Sequence, residues 1–365
     1  METGQQNQPK TYILAVSGGP DSMYLLDTQA RLRDLDSRRL VVAHVDYGLR
    51  KSSANDAEFV QEMAMSRGIP CEVHTVSEQE RSAQGGNLEA WARDVRYAFF
   101  EDVRTRYEAD AVLTGHNAND QAETVLMRML QGTGLRGLAG MRTERGTVMR
   151  PLLATTRLEI LSFLESHDIL FRTDETNADT TLLRNKIRHE ILPRLERADG
   201  TAVQKLNELA LVAQEAVEDM EQVCQTWLVR YSQELLGEQV LHLPSFLQLP
   251  SHVQHEVVRT ISGLRGRDGK EEQELVRFLH EAKTGSQKPL SSGLNVKKYR
   301  ATVAFTSASG SAQKAPVTTP QLLTHERPQS QPRREAREAI RTGQGSFVDG
   351  LSRATQRAKA ANQPR

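Results

Sequence analysis

Short apolar runs and segments with helical spacing alternate along the first 130 residues of the chain. Buried strands are predicted by four apolar runs, at residues 12–16, 40–45, 71–76 and 109–114. Helices are predicted by the segments that follow these runs, at residues 23–35, 54–67, 87–107 and 119–130. Because strands alternate with helices, the pattern favours βαβ crossovers and an α/β fold, in which a parallel sheet carries helices on both faces.

The second half of the chain has a different pattern. Beyond residue 153 we predict no further strands, whereas residues 157–166 and 205–236 have helical spacing. From residue 306 onward Ser, Thr, Ala, Gln, Pro and Arg dominate, and Phe347 is the only aromatic residue. Such a segment buries too little apolar surface to offset the entropy of ordering it. We therefore predict an α/β domain at 11–200, a helical domain at 201–305 and a disordered tail at 306–365.

Composition and charge narrow the class of protein. Hydrophobic residues at 38% and charged residues at 26% are typical of a globular enzyme. No apolar run is long enough to span a membrane, and residues 1–10 lack the apolar core of a secretory signal. Cys71 and Cys224 form neither a C-x-x-C pair nor a zinc motif, so we expect two packing residues in a reducing cytoplasm.

The net charge of zero is unevenly distributed. Residues 307–365 carry ten Lys or Arg against four Asp or Glu, so the rest of the chain is acidic overall. A neutral total is compatible with a basic face, but it gives no positive sign of a polyanionic partner.

A glycine-rich loop follows the first predicted strand and precedes the first predicted helix. It consists of Ser17, Gly18, Gly19, Pro20, Asp21 and Ser22. Two glycines allow close approach to an anion, and a helix start offers unpaired N–H groups. A Gly-Gly turn alone is typical of an ordinary tight turn, and the lysine of a Walker A loop is missing. The whole hexapeptide at this position favours nucleotide phosphates.

A second polar cluster, GHNANDQAET at residues 115–124, follows the fourth predicted strand. Asp120 and Glu123 are three residues apart, so on a helix their carboxylates share one face. Acidic residues in a first helical turn also stabilise the helix dipole, which is the plain structural interpretation. In a parallel sheet both clusters lie beyond the carboxyl ends of strands, where ligands bind. We therefore expect the two acids to bind a metal or accept a proton, and His116 to contact a phosphate.

Further motifs make the resemblance specific. The loop SGGPDS matches the PP-loop, or N-type ATP pyrophosphatase, class. The chain resembles the tRNA(Ile)-lysidine synthetases in the order and spacing of five further motifs: HVDYGLR at 44–50, NLEAWARDVRY at 87–97, the cluster at 115–124, RPLL at 150–153, and DETN at 174–177 with LRNKIR at 183–188. The resemblance is strong over residues 11–200 and weak from there to about 305.

The resemblance implies an ATP-dependent ligase that acts on tRNA in the cytoplasm. The cytosine C2 oxygen of the wobble cytidine in a CAU anticodon would attack ATP, and the side-chain amine of free L-lysine would then displace AMP. The implied cofactors are ATP and Mg²⁺, and the implied partners are tRNA(Ile) and lysine, with no membrane. A homodimer is compatible with the sequence.

The resemblance also implies roles for single residues. Residues 17–22 and His116 would bind ATP, Asp21 and Asp120 would hold Mg²⁺, and Asp21, Arg93, Asp120 and Glu123 would be catalytic. A further set would contact RNA or nucleotide phosphates: Arg96, Arg184, Asn185, Lys186 and Arg188. Tyr47 departs from the histidine usual at its position, and the tail does not resemble the additional RNA-binding domain of the longer members.

Three alternatives stay open. A sulfur-transferring tRNA enzyme would adenylate in the same way, but it would need a cysteine pair or an iron–sulfur motif. An amidotransferase-type synthetase would need a glutaminase to supply ammonia, and no N-terminal cysteine glutaminase is found. A non-catalytic nucleotide-binding module has no use for the acidic helix or for the arginines after residue 183.

Overall fold

A computed structural model of the chain describes residues 9–48, 53–82, 88–172, 183–235, 238–264 and 269–307. The described residues divide into two compact units at about residue 212, and residues 133–136 group with the second unit. The motif at 174–177 and nearly all of the predicted tail lie outside the described residues.

The first unit is built on a six-stranded sheet in the order β3-β2-β1-β4-β6-β5. Its strands are β1 (Thr11–Ala15), β2 (Arg39–Asp46), β3 (Cys71–Thr75), β4 (Ala111–Thr114), β5 (Glu144–Arg145) and β6 (Val148–Met149). All neighbouring pairs are parallel except β5 with β6. The strand order reverses between β1 and β4, so the loops after these two strands open a crevice at the carboxyl edge. The predicted parallel α/β sheet is confirmed.

Nine helices of the described residues lie wholly in the first unit or begin there. They are α1 (Pro20–Asp36), α2 (Ser53–Met65), α3 (Glu78–Ser82), α4 (Leu88–Arg106), α5 (Ala118–Leu130), α7 (Arg157–Ser166), α8 (Leu183–Lys186), α9 (Leu192–Ala198) and α10 (Ala202–Tyr231). A π-helical turn, Ile187–Ile191, joins α8 to α9. The short helix α6 (Leu135–Leu138) follows α5.

Two apolar clusters pack against opposite faces of the sheet, because successive side chains of a buried strand point to opposite sides. Leu14 and Val42 pack with α1, α2 and α7 on one face. Ile13 and Val41 pack with Phe100 and Val103 of α4 on the other. The sheet is therefore covered on both sides, and its carboxyl edge is left for polar residues.

The second unit contains helices, as predicted, and also an antiparallel sheet that the sequence does not predict. Its helices beyond α10 are α11 (Leu243–Leu247), α12 (Ser251–Ser262) and α13 (Lys270–Glu281). Its sheet, in the order β7-β8-β11-β10-β9, consists of β7 (Ser232–Leu235), β8 (Glu238–His242), β9 (Gln287–Pro289), β10 (Leu294–Lys298) and β11 (Thr302–Ser307). The expectation that strands end at residue 153 is wrong.

One strand of this sheet, β10, has a polar residue at an inward position. Val296 is fully buried, but the next inward residue is Lys298, whose Nζ donates to the main-chain oxygen of His280 at 3.3 Å. A lysine in a core position hides the alternation of apolar and polar residues that identifies a strand.

Among the described helices, none is both long and apolar enough to cross a bilayer.

Candidate functional site

The loop between β1 and α1 is held open by hydrogen bonds among its own residues. Gly18 has φ +90°, a conformation that favours glycine. Ser22 Oγ accepts from the main-chain N–H of Ser17 at 3.1 Å and donates to the carbonyl of Gly19 at 2.9 Å. The N-cap of α1 is Gly19, which has no side chain with which to cap the helix, so the free amides of the first turn are suited to bind an anion.

The end of β4 packs directly against this loop. A Cβ placed on Gly115 would lie 3.1 Å from the main-chain carbon and oxygen of Asp21 and 3.2 Å from the nitrogen of Ser22. Because these are main-chain atoms, no rotation of a side chain could relieve the contact. Gly115 therefore permits the close contact between the two loops, a role that the sequence does not single out.

Asn117 joins the two predicted acids, Asp21 and Asp120. Its Nδ2 donates to Asp21 Oδ1 at 2.9 Å, and its main-chain N–H donates to Asp120 Oδ2 at 3.1 Å. Its Oδ1 accepts from the main-chain N–H of Asp120 at 3.0 Å, which completes a capping box at the start of α5. The structural interpretation of Asp120 as a helix-start acid is thus correct, and the same residue also lies in the crevice.

Two arginines neutralise the acidic face of α5. Arg188 Nε donates to Glu123 Oε1 at 2.6 Å, and its Nη2 donates to Asp120 Oδ1 at 2.7 Å. Arg184 Nε donates to Glu123 Oε2 at 3.1 Å. Glu123 is only 2% exposed and Asp120 is 13% exposed, so Glu123 anchors the arginines while Asp120 stays closer to solvent.

Burial and local charge shift the protonation of two groups at the carboxyl edge. Burial raises the pKa of Asp21; the carboxylate of Asp120 raises it further, and Arg157 opposes both. Burial lowers the pKa of His116 to about 4, so its imidazole is neutral at physiological pH. Nδ1 of His116 lies 2.8 Å from the hydroxyl of Thr114.

Arg157 and Arg172 lie beside the loop although the sequence does not mark them. Arg157 Nη1 is 3.2 Å from Asp21 Oδ2. The main-chain N–H of Arg172 donates to the carbonyl of Gly18 at 2.8 Å, and its guanidinium lies over the ring of Phe59 at 4.6 Å. No local pattern points to these arginines, because they reach the loop only through the packing of α7 on α1.

The remaining predicted residues lie on α4, at the start of α1 and on α8. Arg93 and Arg96 are exposed on α4, and Arg93 contributes to the electrostatic environment of His116. Pro20 is the first residue of α1, and Asn185 is half-buried in α8. Lys186 is exposed, and within the described ranges no ion pair joins it to the acids, unlike its neighbours Arg184 and Arg188.

A glycine-rich loop lies between β1 and α1, at the switch point of a parallel sheet. Residues 2–195, more than half of the chain, match the family model described as PP-loop domain. The chain belongs to the PP-loop domain family, for which ATP use is typical.

Curated relatives make the similarity more particular. A tRNA(Ile)-lysidine synthase from Symbiobacterium thermophilum is 40% identical over 259 residues, covering 68% of this chain and 54% of the relative. A tRNA(Ile)-lysidine synthase from Thermus thermophilus is 37% identical over 298 residues, covering 80% of this chain and 56% of the relative. The resemblance to the lysidine synthetases is confirmed, and the chain spans about half the length of these relatives.

Among solved structures, the U34-tRNA thiolase NcsA from Methanococcus maripaludis overlaps with a TM-score of 0.49 and 16% identity. The overlap covers 57% of this chain and 74% of that one. At that TM-score it adds nothing to the assignment.

Proposed function

We propose that the chain is an ATP-dependent ligase that joins the side-chain amine of L-lysine to C2 of the wobble cytidine in a tRNA with a CAU anticodon. The observation that carries the proposal is the pairing, through Asn117, of the loop acid Asp21 with Asp120 of α5. Similarity to lysidine synthases supports the choice of substrates.

The first step is adenylation of the base. The cytosine C2 oxygen attacks the α-phosphorus of ATP, a P–O bond forms, and pyrophosphate leaves. The main-chain amides at the start of α1, after Pro20, and the nearby guanidinium of Arg157 are suited to the charge of the departing pyrophosphate. His116 is neutral, so it can donate or accept a hydrogen bond without adding charge.

The second step is attack by the lysine amine at C2, with loss of AMP. An amine with a reference pKa of about 10.4 is mostly protonated at neutral pH, so an acceptor for its proton is needed. Asp120 is the better candidate, because it is more exposed than Glu123 and only one of its oxygens accepts from a guanidinium, whereas both oxygens of Glu123 do. Glu123 positions Arg184 and Arg188, which can contact the phosphates of ATP or RNA.

The carboxylates of Asp21 and Asp120 fit a Mg²⁺ ion that arrives with ATP. Mg²⁺ is usually held by one or two carboxylates together with substrate phosphates. Within the described residues no cluster of three or more His, Cys, Asp or Glu side chains could hold a metal. Burial and Asp120 raise the pKa of Asp21, so an added cation would favour the ionised form. When bound, Mg²⁺ would neutralise the polyphosphate.

The thiol groups do not favour sulfur transfer. Burial raises the pKa of both Cys71 and Cys224 to about 11, so the thiols stay protonated at neutral pH. A sulfur-transferring enzyme needs a thiolate or an iron–sulfur cluster at the site. Neither cysteine belongs to the loops after β1 and β4.

Incorporation of labelled lysine into tRNA tests the proposal. The chain is incubated with total tRNA and ATP, and parallel reactions omit ATP or replace lysine by labelled sulfide or ammonia. We expect ATP-dependent incorporation of lysine alone. Incorporation of sulfur or ammonia would assign the chain to another reaction, and ATP binding without any incorporation would make it a non-catalytic module.

A further inference from the structure

Tyr47, the residue that follows β2, fixes an arginine of α4. Its hydroxyl accepts from Arg96 Nε at 2.9 Å and donates to the main-chain oxygen of Ala92 at 2.9 Å. The guanidinium of Arg96 lies 5.9 Å from the centre of the Tyr47 ring. Tyr47 thus holds the inner nitrogen of Arg96 and leaves the two outer nitrogens for other contacts.

The backbone of Tyr47 is fixed as well. Arg81 Nη1 donates to its carbonyl at 3.0 Å and to that of Val76 at 3.1 Å. Gly48 has φ +60°, and a Cβ at that position would lie 1.9 Å from Arg81 Nη1. The residue after β2 is therefore tied to the end of β3, so its ring has a defined place at the carboxyl edge.

The neighbouring face of α4 combines aromatic rings with exposed cations. Trp91 is half-buried, with its ring centre 6.5 Å from that of Tyr47. Arg93 is exposed and lies 4.8 Å from the centre of the Tyr97 ring. In the described part of the chain neither Arg93 nor Arg96 forms an ion pair with a carboxylate. We call Tyr47, Trp91, Arg93 and Arg96 the α4 platform.

The platform adjoins the candidate site. β2 lies next to β1 in the sheet, so the residues after β2 neighbour the loop after β1. Arg93 belongs to the platform and also acts on His116, at the end of β4. Partly exposed aromatic rings flanked by arginines are the surface on which single-stranded bases stack, with cations for the adjacent phosphates.

We propose that the α4 platform stacks the nucleotide adjacent to the target base of the RNA, and that Tyr47 acts by positioning Arg96. This inference rests on the proposed function, because it takes RNA as the substrate. Aromatic stacking supplies affinity, and the anchored guanidinium fixes the neighbouring phosphate. RNA is the occupant that we favour, because the platform adjoins the candidate site and combines aromatic rings with exposed cations.

Fluorine NMR tests the stacking directly. The chain has two tryptophans, so the full-length protein labelled with 5-fluorotryptophan gives two resonances, and Trp91→Phe assigns them. On titration with tRNA we expect the Trp91 resonance to shift, because a stacked base changes its ring-current environment. An unchanged Trp91 resonance at saturating tRNA would overturn the proposal.

Substitutions test the positioning role. We expect Trp91→Ala and Arg96→Gln each to weaken tRNA binding by about 10-fold, within the range for loss of one stacked base or its contacts. Tyr47→Phe keeps the aromatic ring but removes the hydroxyl that accepts from Arg96. The KM for tRNA should therefore rise by about three-fold or more, while kcat at saturating tRNA is retained. The matched control is Arg106→Gln at the end of α4, where Arg106 pairs with Glu72 and Asp102.

The outcomes separate this inference from the proposed function. Arg96→Gln should reduce the salt dependence of tRNA binding by about one phosphate contact, and Arg106→Gln should not. Equal binding by Tyr47→Phe and the parent would overturn the role of Tyr47. If the parent chain transfers no lysine, the proposed function is contradicted. If it transfers lysine but the Trp91 resonance does not shift on titration with tRNA, only the platform proposal is contradicted.

Discussion

The side-chain amide of Asn117 donates to Asp21 across 96 positions of sequence, at a distance of 2.9 Å. Asp21 lies in the first turn of α1, and Asn117 is the N-cap of α5. The hydrogen bond therefore links the two helix starts that face the crevice between β1 and β4. It orients the carboxylate of Asp21, while the capping box of α5 orients the carboxylate of Asp120.

Asn117→Ser separates the bridge from the cap. Serine can still cap α5, but it cannot reach Asp21 with an amide donor. We expect ATP turnover to fall by about 10-fold or more, because a hydrogen bond to a charged group is lost, while stability changes by about 1 kcal/mol or less. ATP–pyrophosphate exchange and urea unfolding measure the two effects. Unchanged exchange would show that the bridge is not needed.

Gly115→Ala tests the contact between the two loops. The added Cβ meets main-chain atoms of Asp21 and Ser22 at 3.1–3.2 Å, so the loop between β1 and α1 must shift. We expect pyrophosphate binding to weaken by about 10-fold, since small misplacements of positioning groups are costly. Gly200→Ala is the control, because a Cβ there meets nothing within 4 Å. Equal binding by both variants and the parent would remove this contact from the site.

Asp120→Asn distinguishes a catalytic acid from a helix cap. Asp120 and Glu159 occupy the same position in the capping boxes of α5 and α7, so Glu159→Gln is the matched control. We expect lysine transfer to fall by about 10²–10⁴-fold in Asp120→Asn, as for loss of an acid–base group, and to stay near the parent in the control. Similar small losses in both variants would leave Asp120 with the capping role alone.

His116 links stability to pH. Its folded pKa is about 4, below the unfolded value of about 6.5, so between these values the unfolded chain binds a proton that the native chain excludes. The free energy of unfolding should therefore fall as pH decreases from 7 to 5. His116→Asn should reduce that slope without abolishing it, because burial also lowers the pKa of His44. Urea unfolding at pH 7 and pH 5 measures this change in the free energy of unfolding. The same change in His116→Asn as in the parent would contradict the lowered pKa of His116.

The sequence identifies the parts of the site that are contiguous in the chain. The loop at 17–22 and the acids of α5 follow strands whose apolar runs are clear, so their place at the carboxyl edge is predictable. The pairing of Asp21 with Asn117 depends on β1 and β4 being neighbours. Local sequence patterns do not reveal which strands are neighbours in a sheet.

Contacts made through tertiary packing are not predictable in this way. Arg157 reaches Asp21 only because α7 packs on α1, and Tyr47 reaches Arg96 only because α4 crosses the end of β2. The strands β5 and β6 have two residues each, too few for any periodicity to be detected. In the second sheet, Lys298 interrupts the alternation of apolar and polar residues along β10, so that strand has no clear pattern.

Mass spectrometry of the tRNA nucleosides tests the central claim most directly. The parent chain is incubated with ATP, lysine and a CAU-anticodon tRNA, and the tRNA is digested to nucleosides. We predict a new nucleoside with the mass of cytidine plus lysine less one water, absent without ATP and strongly reduced with Asp120→Asn. A thiolated nucleoside, or unmodified cytidine after complete ATP consumption, would contradict the account.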